Sequence, residues 1–184
     1  MIQAIISKLA EKHNLTEDEA GHAMLEIMEG KATDAQIAAF LVGLRLKRET
    51  IDEITACARI MRQKASSIDP KAKFLVDTCG TGGDKSNTFN ISTAAAFVAS
   101  GAGASVAKHG NKSISSKCGS ADVLKELGVN IELSPKQAEK CIEEIGIGFM
   151  FAPIFHPAMK FASNARKEIG IRTIFNLLGP LANP

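Results

Sequence analysis

One glycine-rich, polar stretch constrains this chain more than any other: Asp77-Thr78-Cys79-Gly80-Thr81-Gly82-Gly83-Asp84-Lys85-Ser86-Asn87-Thr88-Phe89-Asn90. The apolar run Phe74-Leu75-Val76 precedes it and has the length of a buried strand. Ile91 to Ser100 follows, Ala-rich and helical, with Asn90 or Ser92 placed to cap it. A strand, a loop stripped of side chains by glycine, and a helix N-terminus together make an anion site. Backbone N–H groups can turn inward there, and the helix end adds positive partial charge. Neither common phosphate-loop pattern fits. A Walker A motif needs Gly where Asp84 stands, and the dinucleotide fingerprint needs its third glycine where Lys85 stands. A plain tight turn would not need Thr81, Asp84, Ser86, Asn87, Thr88 and Asn90 as well, so a phosphate site is the better reading.

The rest of the chain supplies a frame for that loop. Residues 1–65 carry four amphipathic helices, three of them opened by capping boxes: Thr16 with Glu19, Thr33 with Gln36, Thr50 with Glu53. The apolar stripes Ile2/Ile5/Ile6/Leu9, Ala20/Met24/Ile27/Met28, Ile37/Leu41/Leu44 and Ile51/Ile54/Ala58/Met61 follow helical spacing, and Gly30 ends the second helix. They make a bundle whose apolar surface suits a partner. His13 and His22 read as solvated helix-face residues.

After a linker at 66–73, the glycine loop and helix lead to a second short strand, Ala104–Ala107, so a parallel sheet is expected. The second loop runs from Lys108 through His109, Gly110, Asn111, Lys112, Ser113, Ile114, Ser115 and Ser116 to Ser120. Both loops follow strands, so both fall on the carboxyl edge of the sheet, where open α/β proteins bind ligands. Its lysines and serines suit phosphate oxygens. Beyond it come a helix over 121–127, a strand with one wet face at Val129–Leu133, and a helix opened by Ser134-Pro135-Lys136-Gln137. A strand at Ile147–Phe151, a helix from Pro157 to about Glu168, and a short helix Thr173–Leu178 stopped by Gly179-Pro180 complete the reading.

Composition excludes several classes. A net charge of +2 with no basic block does not suggest nucleic acid, and Trp and Tyr are absent. No apolar run approaches the ~20 residues of a membrane span, and no signal-peptide pattern opens the chain. Cys57, Cys79, Cys118 and Cys141 form no CxxC pair, which fits a reduced, cytoplasmic protein.

Three segments carry a resemblance: Asp77 to Asp84 with Asn90-Ile91-Ser92-Thr93, then Lys108-His109-Gly110-Asn111, then Arg172-Thr173-Ile174-Phe175-Asn176-Leu177-Leu178-Gly179-Pro180-Leu181-Ala182-Asn183-Pro184. Along all 184 residues the chain resembles the anthranilate phosphoribosyltransferase family. The resemblance implies a helical, dimerisation domain at 1–70 joined by helices within 157–182, and at 71–156 the first part of an α/β domain that binds phosphoribosyl pyrophosphate. Its parallel sheet would be of the nucleoside phosphorylase/phosphoribosyltransferase type, incomplete in this chain.

The same resemblance implies the reaction: the amine of anthranilate displaces pyrophosphate from phosphoribosyl pyrophosphate, with Mg²⁺, in tryptophan biosynthesis. Gly80, Gly83, Asp84 and Thr88 would hold the phosphoribosyl pyrophosphate; Asn90, Ile91, Ser92 and Thr93 would cradle its pyrophosphate, with the Ser92 hydroxyl a metal ligand. Lys108 through Ser116, and Ser120, would contact phosphates and ribose. Gly80, Asn111 and Arg166 would hold anthranilate, Arg166 by a bidentate fork on its carboxylate, with His109 and His156 lining the aromatic pocket. The implied partners are the two substrates and a second copy of the chain, with no nucleic acid and no membrane.

Two departures stand out. Lys112 replaces the family's usual Arg and loses the planar fork. The acidic Asp-Glu pair that holds Mg²⁺ in the family has no counterpart, so the chain reads as an N-terminal portion with weak or no activity alone. Two other readings compete: a pyrimidine nucleoside phosphorylase, which Arg166 and the glycine loop count against, and a non-catalytic paralogue binding nucleic acid or a partner, which the charge balance counts against.

Overall fold

The computed structural model describes residues 1–81, 89–112 and 118–184. In chain order these form α1 (Ile2–Ala10), α2 (Glu17–Met28), α3 (Asp34–Lys47), α4 (Ile51–Gln63), β1 (Leu75–Val76), α5 (Ile91–Gly101) and β2 (Ser105–Gly110). Then follow α6 (Ser120–Glu126), α7 (Pro135–Ile145), β3 (Ile147–Phe151), the single turn α8 (Ala152–Phe155), a 3-10 turn at Pro157–Met159, α9 (Lys160–Ile169) and α10 (Ile174–Leu181). They divide into two compact units. One comprises Met1–Ala65 and His156–Ala182, the other Ser66–Phe155 with Asn183–Pro184.

The helical unit starts where the sequence signals put it. Thr16, Thr33 and Thr50 each accept the N3 backbone N–H, and Glu19, Gln36 and Glu53 return the bond to the cap residue's own N–H. Gly30 follows α2 with φ +70°, and a side chain there would strike the Phe161 ring as well. The apolar stripes meet in one core of Ile2, Ile5, Leu9, Met24, Ile27, Ile37, Phe40, Leu41 and Leu44, closed by Ala162, Ala165, Ile174, Phe175 and Leu178 from α9 and α10. Those late helices cover much of the apolar surface that the first four would otherwise leave open. Ile51, 81% exposed, and Leu46, 74% exposed, remain outside. Of the two histidines, His22 is exposed on α2, and His13 is exposed in the turn after α1 rather than on a helix.

Glu53 is the unexpected member of this core. Its carboxylate is fully buried, 2.7 Å from the equally enclosed Lys47 ammonium, and accepts the backbone N–H groups of Leu15 and Thr50, each at 2.8 Å. Burial alone would raise its pKa, but the bonds from Lys47, Thr50 and Leu15 outweigh that and hold it below its ordinary 4.5. The Lys47 ammonium also donates to Asn14 Oδ1 and to the Arg48 carbonyl, each at 3.1 Å. To present that carbonyl, Arg48 takes φ 72° and ψ 128°, a conformation that disfavours any side chain.

The sheet unit is a three-stranded parallel sheet in the order β1-β2-β3. Strand alternation puts Ala107 and Met150 on one face, packed with Ala138 and Ile142 of α7 and with Phe155. Phe149 and Phe151 lie on the other, with Ala121 and Leu124 of α6 and Ile131.

Several expectations need correction. β1 is not buried: Phe74, Leu75 and Val76 are 66%, 44% and 40% exposed, because among the described residues the strand pairs only with β2 and lies at the sheet edge. Val129–Leu133 forms no strand. Asn130 Oδ1 accepts the Glu132 N–H at 3.0 Å, a local turn that competes with ladder pairing, and Ile131 turns into the core with Leu133 half-buried beside it. α10 does not stop at Gly179 but runs through Pro180 to Leu181, since a proline in the last turn removes little helical bonding.

Candidate functional site

Where β1 ends, the chain turns and, beyond the glycine loop, enters α5 beside the end of β2. Gly83, Asp84 and Thr88 of the first loop, and Ser113, Ile114, Ser115 and Ser116 of the second, lie outside the described residues. The groups that remain converge on Lys108. This residue is part of β2, opposite Phe149 of β3, so the second loop begins later than the sequence pattern suggested: Lys108, His109 and Gly110 are ladder residues.

Lys108 is almost fully buried, and its ammonium donates to Thr78 Oγ1 at 3.3 Å and to Ser92 Oγ at 3.5 Å. The Thr78 hydroxyl in turn donates to the Ser92 carbonyl at 2.7 Å, tying the root of the glycine loop to the first turn of α5. Asn90 occupies the N-cap, but its side chain does not bond a backbone N–H. Its Oδ1 accepts the hydroxyls of Thr93 at 2.8 Å and Ser92 at 3.3 Å, so it orders the site's hydroxyls instead. Burial draws the Lys108 pKa down, and the neighbouring Asp77 and Cys79 oppose that. Burial, with Asp77 nearby, pushes the Cys79 thiol up to about 11 against the pull of Lys108, which leaves it protonated and a poor nucleophile at neutral pH.

The remaining predicted residues fall around this centre. Gly80 is exposed at the loop's start, Ile91 is exposed on the first turn of α5, and Thr93 is buried there. His109 is buried and, one residue along the strand, projects to the opposite face from Lys108. Gly110 passes so close to Ser120 Oγ and the Phe149 ring that no side chain fits. Asn111 and Lys112 are exposed beyond the strand, and Ser120 Oγ donates to the Asn111 carbonyl at 3.4 Å. Arg166 belongs to the helical unit, where it is half-buried with its guanidinium 4.9 Å over the Phe175 ring. Burial lowers its pKa from the usual value. His156 is buried in the same unit.

Two contributors are not among the predicted site residues. Asp77 accepts the Cys79 N–H at 3.0 Å and the His109 N–H at 3.2 Å on Oδ1. Its Oδ2 accepts Asn183 Nδ2 at 2.7 Å, and Asn183 also reaches the Ala107 carbonyl at 3.2 Å. An acidic residue directly after a strand is a hint of the first; nothing marks a residue more than a hundred positions later as its partner.

As for metals, no group of three or more His, Cys, Asp or Glu side chains among the described residues could hold an ion. Ser92 Oγ is neutral and faces the Lys108 ammonium, which repels cations. These residues alone do not fit a protein-held Mg²⁺. What they fit is an anion: one desolvated ammonium and several hydroxyls at a helix N-terminus.

Known proteins are similar to this chain in sequence and fold. The chain is 62% identical over 184 residues to the anthranilate phosphoribosyltransferase of Acetivibrio thermocellus, covering 100% of this chain and 53% of that relative. The crystal structure of the Thermus thermophilus anthranilate phosphoribosyltransferase superposes with a TM-score of 0.91 at 46% identity, over 97% of this chain and 54% of that one. The Saccharomyces cerevisiae enzyme, in complex with PRPP and Mg, gives a TM-score of 0.90 at 31% identity, over 100% of this chain and 55% of that one. The chain thus spans about half the length of the relatives it matches. The family model described as "Glycosyl transferase family, helical bundle domain" matches residues 3–65, and that described as "Glycosyl transferase family, a/b domain" matches residues 72–184. With both units matched, the chain belongs to the glycosyl transferase family.

Proposed function

We infer that this chain takes part in transferring the phosphoribosyl group of phosphoribosyl pyrophosphate to anthranilate, with release of pyrophosphate. The observation that carries the reading is the buried Lys108 ammonium, held against Thr78 and Ser92 at the N-terminus of α5. As the bond from ribose to pyrophosphate breaks, negative charge grows on the leaving group. A fixed ammonium screened from water stabilises that charge more than a solvated one would, and needs no reorganisation to do so. Ser92 and Thr93, oriented through Asn90, are the hydroxyls that would receive the phosphate oxygens. Anthranilate's amine is a neutral nucleophile, so no strong general base is required, and a Cys79 thiol kept protonated does not compete for the ribose carbon.

Arg166 is the residue to receive the anthranilate carboxylate. Its guanidinium is planar and already stacked on Phe175. Magnesium would arrive with the pyrophosphate and be held mainly by phosphate oxygens. Four free cysteines suit a reducing, cytoplasmic setting. Self-association through the helical unit is supported by the exposed Leu46 and Ile51, and sedimentation at micromolar concentration checks it: a monomer alone would refute it.

The test is calorimetric titration of the 184-residue chain with phosphoribosyl pyrophosphate. Lys108→Ala is expected to weaken binding ~10–100-fold, the worth of a bond to a charged group, and Ser92→Ala ~5–10-fold. Equal affinity in both variants would sink the site, and binding of thymidine with phosphate in place of the diphosphate would favour a phosphorylase.

A further inference from the structure

The β1–β2 backbone pairing stops early, at Leu75 with Ser105 and Val76 with Val106. Beyond it the two strand ends are joined by a side chain. Asp77 Oδ1 takes the N–H of His109, the residue after Lys108, and the N–H of Cys79, the residue after Thr78. The carboxylate's other oxygen is engaged by Asn183, whose amide also holds the carbonyl of Ala107, the residue before Lys108. Lys108 is therefore gripped on both sides along the backbone, while the same carboxylate holds the N–H of Cys79, the neighbour of its ammonium partner Thr78. We propose that Asp77 and Asn183 form a clamp that positions Lys108, making them positioning residues for the anion site; this deepens the phosphate reading above and rests on it.

The chemistry requires each partner as it stands. Asp77 serves as an acceptor throughout, because all three groups facing it donate. Residue 183 must offer two N–H bonds from one nitrogen, one to the carboxylate and one to the strand carbonyl. Asparagine does this. Aspartate, of nearly the same shape, cannot, and would put a second negative charge against the first. The Asp77 carboxylate also lies near enough to act as a counter-charge, offsetting part of the cost of taking the Lys108 ammonium out of water.

The experiment titrates inorganic pyrophosphate into the 184-residue chain and its variants. Asn183→Ala is expected to raise Kd about tenfold, one bond's worth transmitted to the site, and Asn183→Asp to raise it further. If Asn183 only filled space, the isosteric Asp would be better tolerated than Ala, so that order would overturn the clamp. In a Lys108→Ala background, Asn183→Ala is expected to add nothing, since both act on one group; a full additive loss would overturn the proposal, as would a Kd within about twofold of the parent. Failure of the parent chain to bind pyrophosphate would remove the phosphate reading instead. Amide hydrogen exchange then decides the clamp: the His109 and Cys79 N–H groups are expected to exchange at least about tenfold faster in Asn183→Ala, and unchanged rates would overturn it.

Discussion

At the scale of single residues, the structure separates groups that sequence treats alike. Asp52-Glu53 looks like any acidic first turn, and the capping box of Thr50 and Glu53 is legible from spacing. That the same carboxylate is also the buried partner of Lys47 and of the Leu15 N–H is not legible, because both contacts depend on how α3 and the turn after α1 pack. Glu53→Ala leaves an ammonium buried without its partner and should cost ~3–5 kcal/mol in chemical denaturation. The pH dependence has a definite sign. A folded pKa below 4.5 means the carboxylate stabilises the fold above that value and loses its contribution as pH falls further. The gap in melting temperature between the parent and Glu53→Gln should therefore narrow below about pH 4.5, and a constant gap would contradict the ion-pair account. Gly110 makes the opposite kind of demand: a methyl there meets Ser120 Oγ and the Phe149 ring, so Gly110→Ala should cost ~1–3 kcal/mol and weaken anion binding together.

At the scale of elements, periodic patterns with marked ends were readable and context-dependent ones were not. The four N-terminal helices, α7 and β3 follow from capping residues and apolar spacing that act within a few residues. Val129–Leu133 alternates like a strand, yet a ladder needs a neighbour, and the Asn130 turn forms without one. Lys108 reads as a loop residue because it is charged, while the partner strand that makes it a ladder residue lies about forty positions away. Two of the site's loops could be located by their glycines and polar groups, but the alternation that sends Lys108 and His109 to opposite faces appears only with the register. Two elements invite tests. Arg48 holds a glycine-like conformation while its carbonyl serves Lys47, so Arg48→Gly keeps the bond, relieves the strain and should stabilise by about 1 kcal/mol, read as a raised melting temperature. Among the described residues β1 has no strand on its outer side and carries apolar side chains in solvent; Leu75→Lys should reduce light scattering on warming, and unchanged scattering would place the aggregating surface elsewhere.

At the scale of the whole molecule, the helical unit is discontinuous in sequence: its core unites Ile2, Leu9 and Leu44 with Ile174, Phe175 and Leu178, while the intervening residues 66–155 build the sheet. A ribosome reads this order in one direction only. The first four helices leave the exit tunnel with part of their apolar surface uncovered, and the two that cover it follow about 100 residues later, a delay of roughly 5–20 s at ordinary translation rates. Residues 66–155 of the sheet unit, though second in line, are all made before α9 and α10. The growing chain thus carries uncovered apolar surface on its earliest-made helices for much of its synthesis. Ribosome-bound chains stalled with residues 1–130 outside the tunnel should be cut by protease within α1–α4 and protected there once residue 182 has emerged; early protection would mean that the first four helices close without help.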